Sequence, residues 1–391
     1  MMKRMREETF AEADVAIAAI SQEASGEQAR AEALRGDQLA ASELDSEEAY
    51  TQFYEKMLKR RRIIIVFFSV AIIAFALLNM AIGSTQIALI DIIKAVFLGT
   101  GEGNQAMIIR SIRLPMALMA IVVGAALGVS GCEIQTILRN PIASPFTLGI
   151  SSAASFGAAL GLILNTGIPF VSETLLVTAN AFVFSFVVAM AIYLFSRQRQ
   201  VGKTAIILFG VALNFLFSAL TMALQYIADE DALQSLVFWN FGSLLKTTWI
   251  KFGIVAIVLL CCTLLLYRNA WRLTAMTLDD SKAMSIGVNV SKMRRMAILT
   301  ASLLAGIAVC FVGTIGFVGL IAPHIARQLV GEDQRYFMPL SALIGAFVLS
   351  FAFVLSKLIM PGVILPIGLV TSIIGIPFFI VIIFHRMKVM L

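Results

Sequence analysis

Catalytic chemistry has few places to reside in this 391-residue chain. Its two histidines, His324 and His385, lie far apart, and neither is joined by a Cys, Asp or Glu cluster with metal-ligand spacing. Cys132, Cys261, Cys262 and Cys310 all fall in apolar stretches without paired or ligand spacing, as expected of reduced thiols acting as small hydrophobes. Val201 to Thr204, VGKT, has the ending of a phosphate-binding loop, but the first glycine of that pattern would fall on Arg197. No nucleotide site, nucleophile–base pair or metal site is encoded. The expectation is a protein that is not an enzyme and binds no cofactor of its own.

Polar groups set into apolar surroundings remain. Leu278–Arg295, LDDSKAMSIGVNVSKMRR, is a charged island with hydrophobic segments on both sides. Its composition favours a short helix up to Gly287, where a residue free to take positive φ suits a helix end. Ala283 and Gly287 are small where a close-fitting groove would need them, and Asp279 and Asp280 precede them. In the stretch 204–227, Asn214, Ser218, Thr221 and Gln225 stand at i, i+4, i+7 and i+11. At about 100° per residue they form one strip roughly 60° wide on an otherwise apolar helix. That strip faces other helices or a wet pathway, and the pathway is the expectation. Glu133 is an isolated acid. Some twenty residues from Arg113 carry a helix roughly 30 Å, which is expected to bring Glu133 to interfacial water or Arg139; a coupling-ion carboxylate is the alternative.

The elements that must position these groups follow from composition. With 59% hydrophobic and 14% charged residues and a mean hydropathy of +0.91, the chain is a polytopic all-α membrane protein. Residues 1–58 are expected to be an acidic cytosolic tail, largely disordered, because they lack the large apolar side chains a core needs. Residues 59–391 are the membrane domain. A hydrocarbon core of about 30 Å needs about 20 helical residues per crossing. Ten spans are placed near 63–83, 114–133, 146–165, 174–195, 204–227, 249–267, 296–317, 319–330, 339–358 and 366–384. The eighth is too short for an ordinary crossing, and Gly313, Gly316, Gly319 and Pro323 ahead of His324 suggest a broken helix. Gly124-x-x-x-Gly128 and Gly157-x-x-x-Gly161 indicate close helix packing. With both termini inside, nineteen basic residues of 56–391 fall on the cytosolic side and six outside, which supports this topology. The six are Lys94, Arg110, Arg113, Lys246, Lys251 and Lys357.

Three long stretches carry a resemblance: RSIRLPMALMAIVVGAALGVSGCEIQTILRNPIASPFTLGISSAAS, GTIGFVGLIAPHIARQLVGEDQRYFMPLSALIGA and LPIGLVTSIIGIPFFIVII. In order, they resemble the permeases of ATP-binding-cassette (ABC) importers for iron chelates, haem and cobalamin, over residues from about 63 to 385. The resemblance implies a type II importer permease with about ten transmembrane helices and a cytosolic coupling helix, in a bacterial or archaeal cell membrane. It implies pairing with a second permease copy, two cytosolic ATPase subunits that hold ATP and Mg, and an extracytoplasmic binding protein that delivers a metal chelate. Nucleic acid is not among the implied partners. Asp279, Asp280, Ala283, Ile286, Gly287 and Val288 then correspond to the family's coupling loop, while Arg110, Arg113 and Lys357 match outer bases that receive acids of the binding protein. The chain departs from the family pattern at Met116, Phe353, Lys357 and Ile364, and a lysine cannot make arginine's bidentate fork. An ion-coupled secondary transporter is the alternative function, since broken helices would serve it too.

Overall fold

The computed structural model describes residues 47–83, 86–98, 104–167, 173–198, 201–360 and 362–390. All regular structure among them is helical. In chain order the helices are α1 (Glu47–Ala81), α2 (Leu89–Ile93), α3 (Asn104–Ile108), α4 (Leu114–Leu138), α5 (Ile150–Ile163), α6 (Glu173–Phe195), α7 (Lys203–Ile227), α8 (Glu230–Asn240), α9 (Trp249–Arg268), α10 (Ala270–Ala275), α11 (Asp280–Ser285), α12 (Val290–Val312), α13 (Val318–Val330), α14 (Gln334–Leu358) and α15 (Ile367–Met390). Wider π-type turns occupy Lys94–Leu98 and Ile109–Arg113.

Among the described residues, seven helical stretches are long and apolar enough to cross a membrane: Tyr54–Ala81, Asn104–Leu138, Leu175–Phe195, Lys203–Ile227, Trp249–Arg268, Val290–Val312 and Gln334–Leu358. The helices α5, α13 and α15 occupy the other three expected spans. Most of the expected tail lies outside the described residues. The boundary at 58 falls inside the continuous helix α1, and the chain divides into compact units at Ile63 and Ile64.

Within the second unit α4 is the central element, buried along nearly its whole length. In lipid, apolar side chains gain little by leaving one apolar surrounding for another, so association depends on close backbone approach. Glycine supplies it. A Cβ on Gly124 or Gly128 would collide with the backbone of Gly345 or Ser341 on α14, and one on Gly131 with Gly319 of α13. The second glycine pair is used likewise, Gly157 and Gly161 lying on the α6 backbone from Val177 to Ala181. Asn79 Nδ2 donates to Ser350 O at 3.0 Å, pinning α1 to α14 deep in the unit.

Helix ends carry local signals. Pro115 sits in the first turn of α4, where a missing N–H costs nothing. Asp229, Thr248, Asn289 and Asp333 cap α8, α9, α12 and α14 through side-chain oxygens. The eighth span is broken as expected, but the break is the irregular Gly313–Phe317 stretch, and Pro323 lies inside α13. Its freed backbone is covered by protein. Ser243 N donates to Val312 O at 2.7 Å, the Thr314 hydroxyl donates to Asn240 O, and the start of α15 closes over Phe241 and Gly242 through Gly368 N and Ile367 N.

Candidate functional site

The charged island folds as a small unit. α11 spans Asp280–Ser285, and Gly287 follows at φ +85° with open space around it, as its position at the helix end requires. Ala275, Met276, Ala283, Val288, Val290 and Met293 form a miniature core beneath it. Ala283 and Val288 are both buried in it, so α11 lies down on its own core at Ala283. The side that faces outward is Leu278, Asp279, Ser281, Lys282, Met284, Ser285, Ile286 and Gly287.

One carboxylate ties this unit to the bundle. Asp280 Oδ1 accepts from Arg139 Nη2 at 2.8 Å and lies 3.0 Å from Lys203 Nζ, while Oδ2 accepts from Arg294 Nη2 at 2.6 Å. Arg139 also holds Asp279 at 2.9 Å and donates from Nε to Met276 O at 3.1 Å. The three bases come from the end of α4 and the starts of α7 and α12, so Asp280 joins the island to three long helices at one point. Burial pushes the Asp280 carboxyl up, but the hydrogen bonds from Arg139, Lys203 and Arg294 outweigh it and hold the group well below the usual carboxylate range. Sequence reasoning finds the two acids but not their partners. The available signal is that all three bases stand at helix ends predicted on one side of the membrane.

At the opposite ends of the helices, the three candidate docking bases turn inward. Arg113 is 7% exposed and donates from Nη1 to Met80 O at 2.6 Å and Ala81 O at 3.2 Å. Lys357 donates to Asn79 O at 2.5 Å and lies over the Phe353 ring. Together they satisfy the last carbonyls of α1, groups a helix leaves without partners. Arg110 donates from Nε to Ala95 O at 2.8 Å, and its own carbonyl accepts from Trp249 Nε1. The side chains expected to meet a binding protein thus close the end of the bundle in this conformation. Phe353, a departure from the family pattern, is the surface on which Lys357 rests.

The α7 strip divides. Thr221 is buried and its hydroxyl donates to Phe217 O of its own helix, whereas Asn214, Ser218 and Gln225 are half-buried. Phe215, Leu216, Leu220, Met222 and Tyr226 point away from the chain. Asn214 lies where α7 meets the start of α5, its backbone against Gly149. Glu133 departs from expectation: it is fully buried with neither oxygen partnered, and Arg139 is committed to the two aspartates. α4 ends only at Arg139, in the αL conformation, so Glu133 stays more than one turn inside the helix. No group of three or more potential metal ligands occurs among the described residues.

Residues 71–385 match the model of the FecCD transport family. The chain belongs to that family. This FecCD permease is 34% identical to the hemin transport system permease protein of Yersinia pestis, over 78% of its own length and 91% of the relative's. It is 34% identical to an Fe(3+)-citrate import system permease protein of Bacillus subtilis, over 82% and 94%. Among solved structures it superposes on an ABC transporter chain in an inward-facing conformation, assigned to the metal-chelate type. The TM-score is 0.71 and the identity 29%, covering 83% of this chain and 99% of that one. The FecCD permease is accordingly a multi-pass membrane subunit of an ABC transporter, with the type II importer fold.

Proposed function

We propose that this chain, paired with a second copy of itself, forms the pathway of an importer for an iron chelate of the siderophore class, driven by two separate ATPase subunits and supplied by an extracytoplasmic binding protein. The observation that carries this reading is the Leu278–Val288 unit: a self-cored surface presenting apolar Leu278, Met284 and Ile286 to a partner, tied by Asp280 to three membrane helices. A connecting loop needs neither its own core nor that fastening. Its end of the bundle is the cytosolic one, because Arg139, Lys203, Arg294 and the island's other bases gather there. The hemin and ferric-citrate relatives support an iron-containing cargo. The half-buried Asn214, Ser218 and Gln225 offer weak, distributed contacts of the kind that pass a cargo without trapping it. ATP and Mg reside on the ATPases, and membership of an ABC family argues against ion-coupled secondary transport.

Uptake into proteoliposomes tests this. Vesicles carrying the permease, its ATPase and binding protein should accumulate radioiron presented as a ferric siderophore, and an ATPase unable to hydrolyse ATP should abolish it. Uptake driven by an ion gradient without ATP would overturn the mechanism. Accumulation of haem, cobalamin or molybdate in place of the siderophore would overturn the cargo alone.

A further inference from the structure

Lys203 is the first residue of α7, and the preceding Gly202 offers no side-chain cap. A cation there opposes the positive end of the helix macrodipole, an unfavourable arrangement. Only an acid brought from elsewhere relieves it, and Asp280 is that acid, 3.0 Å away. The three helices joined at Asp280 are not equally held. In their apolar stretches 72% of the α4 span and 72% of α12 are buried, against 22% of α7. A pull applied through Asp280 meets packed bundle at Arg139 and Arg294. At Lys203 it meets a helix held within this chain chiefly by Ile206, by Phe209 stacked on Phe195 and by Phe217 against Phe156 and Phe184.

α7 also has a bearing point. A Cβ on Gly210 would lie 2.8 Å from Leu148 Cδ2 and 2.9 Å from Leu148 Cα, and one on Gly149 would lie 2.9 Å from Asn214 N, so the two segments approach closely there. Gly149 holds φ +81°, a conformation L side chains rarely adopt. From Lys203 to Gly210 the helix runs about 10 Å, and from Gly210 to Gln225 about 22 Å, at 1.5 Å per residue. A rigid helix rocking at Gly210 moves its far end roughly twice as far as its near end. The far arm carries Ser218 and Gln225.

We propose that the Lys203–Asp280 ion pair is the drive point through which the Leu278–Val288 unit rocks α7 about the Gly149–Gly210 contact, shifting the polar strip. Lys203 is a positioning residue in this scheme; it touches no cargo. The proposal rests on the reading of that unit as the ATPase-docking surface, and it places the moving part on one helix rather than on the whole bundle.

The test uses the full permease–ATPase complex and needs no cargo. Ser218→Cys is introduced with Cys261→Ser, which removes the exposed native thiol, and its rate of labelling by a small water-soluble maleimide is compared without nucleotide and with ATP plus vanadate. A rate change of about fivefold or more is expected. Lys203→Met, similar in length but uncharged, should abolish that change in complexes purified at wild-type stoichiometry, and Lys203→Arg should restore it. Gly210→Ala, which leaves the ion pair intact but wedges the bearing point, should also suppress it. A purely structural role would lower the melting temperature of Lys203→Met while leaving the nucleotide response of the assembled fraction intact. That result, or a failure of Lys203→Arg to restore the response, overturns the proposal. No nucleotide response in the Ser218→Cys parent would instead overturn the coupling reading, and this inference with it.

Discussion

Asp280 is the residue on which the fastening of the charged island depends, and its pH behaviour follows from its partners. Its carboxyl is depressed in the folded protein, so its contribution is fully present above the unfolded value of about 3.9 and is lost only as pH falls through the folded value. Asp280→Asn should therefore lower stability by about 1 kcal/mol, the scale of a partly exposed ion-pair network. The difference from wild type should be flat between pH 5 and 8 and shrink only below about pH 4; thermal melts across that range measure it. Arg113 carries the corresponding role at the other end. Arg113→Met leaves Met80 O and Ala81 O without their buried donor and should cost about 1–3 kcal/mol with no binding protein present. If that variant melts normally but fails to dock the binding protein, the inward geometry is not what makes the residue matter. Glu133 has no charged partner to lose, so Glu133→Gln should melt within about 1 kcal/mol of wild type, whereas Glu133→Lys should prevent folding.

Among the elements, α7 and α4 separate what sequence periodicity can and cannot give. Apolar length places the seven long crossings, because each must satisfy its own backbone, whereas the short eighth span is read from its glycines and proline. The glycine spacings in α4 and α5 likewise find close-packed neighbours. Which neighbours they find is a tertiary fact: nothing in Gly124-x-x-x-Gly128 names Ser341 and Gly345. The polar strip on α7 is legible as a strip, but its orientation depends on α5, and Thr221 spends its hydroxyl on its own helix. Single cysteines at Asn214, Ser218 and Gln225 should thus react with a water-soluble reagent, while Thr221→Cys should be protected. Leu216 and Leu220 face away from the chain, so a buried control belongs at Ile206 or Phe217. Equal protection at all the polar positions would make the strip a helix contact rather than a pathway lining.

At the scale of the whole molecule, the charged island is visible in the sequence because no apolar environment could hold it. Its boundaries and the helix end at Gly287 follow from composition and turn chemistry. Its internal core and its fastening do not, since Arg139 and Lys203 stand 141 and 77 positions before Asp280 and Arg294 lies in the helix after it, and only folding brings them to one carboxylate. The outer bases illustrate the same limit, charge being readable and direction not. The central claim is that the exposed side of Leu278–Val288 receives the ATPase. A photo-crosslinking side chain at Ile286 tests it most directly, with one at Tyr226, on the opposite end of α7 from Lys203, as the control. The account predicts adducts with the ATPase subunit from position 286 and none from 226; adducts from 226 alone, or from neither position in an assembled complex, would contradict it.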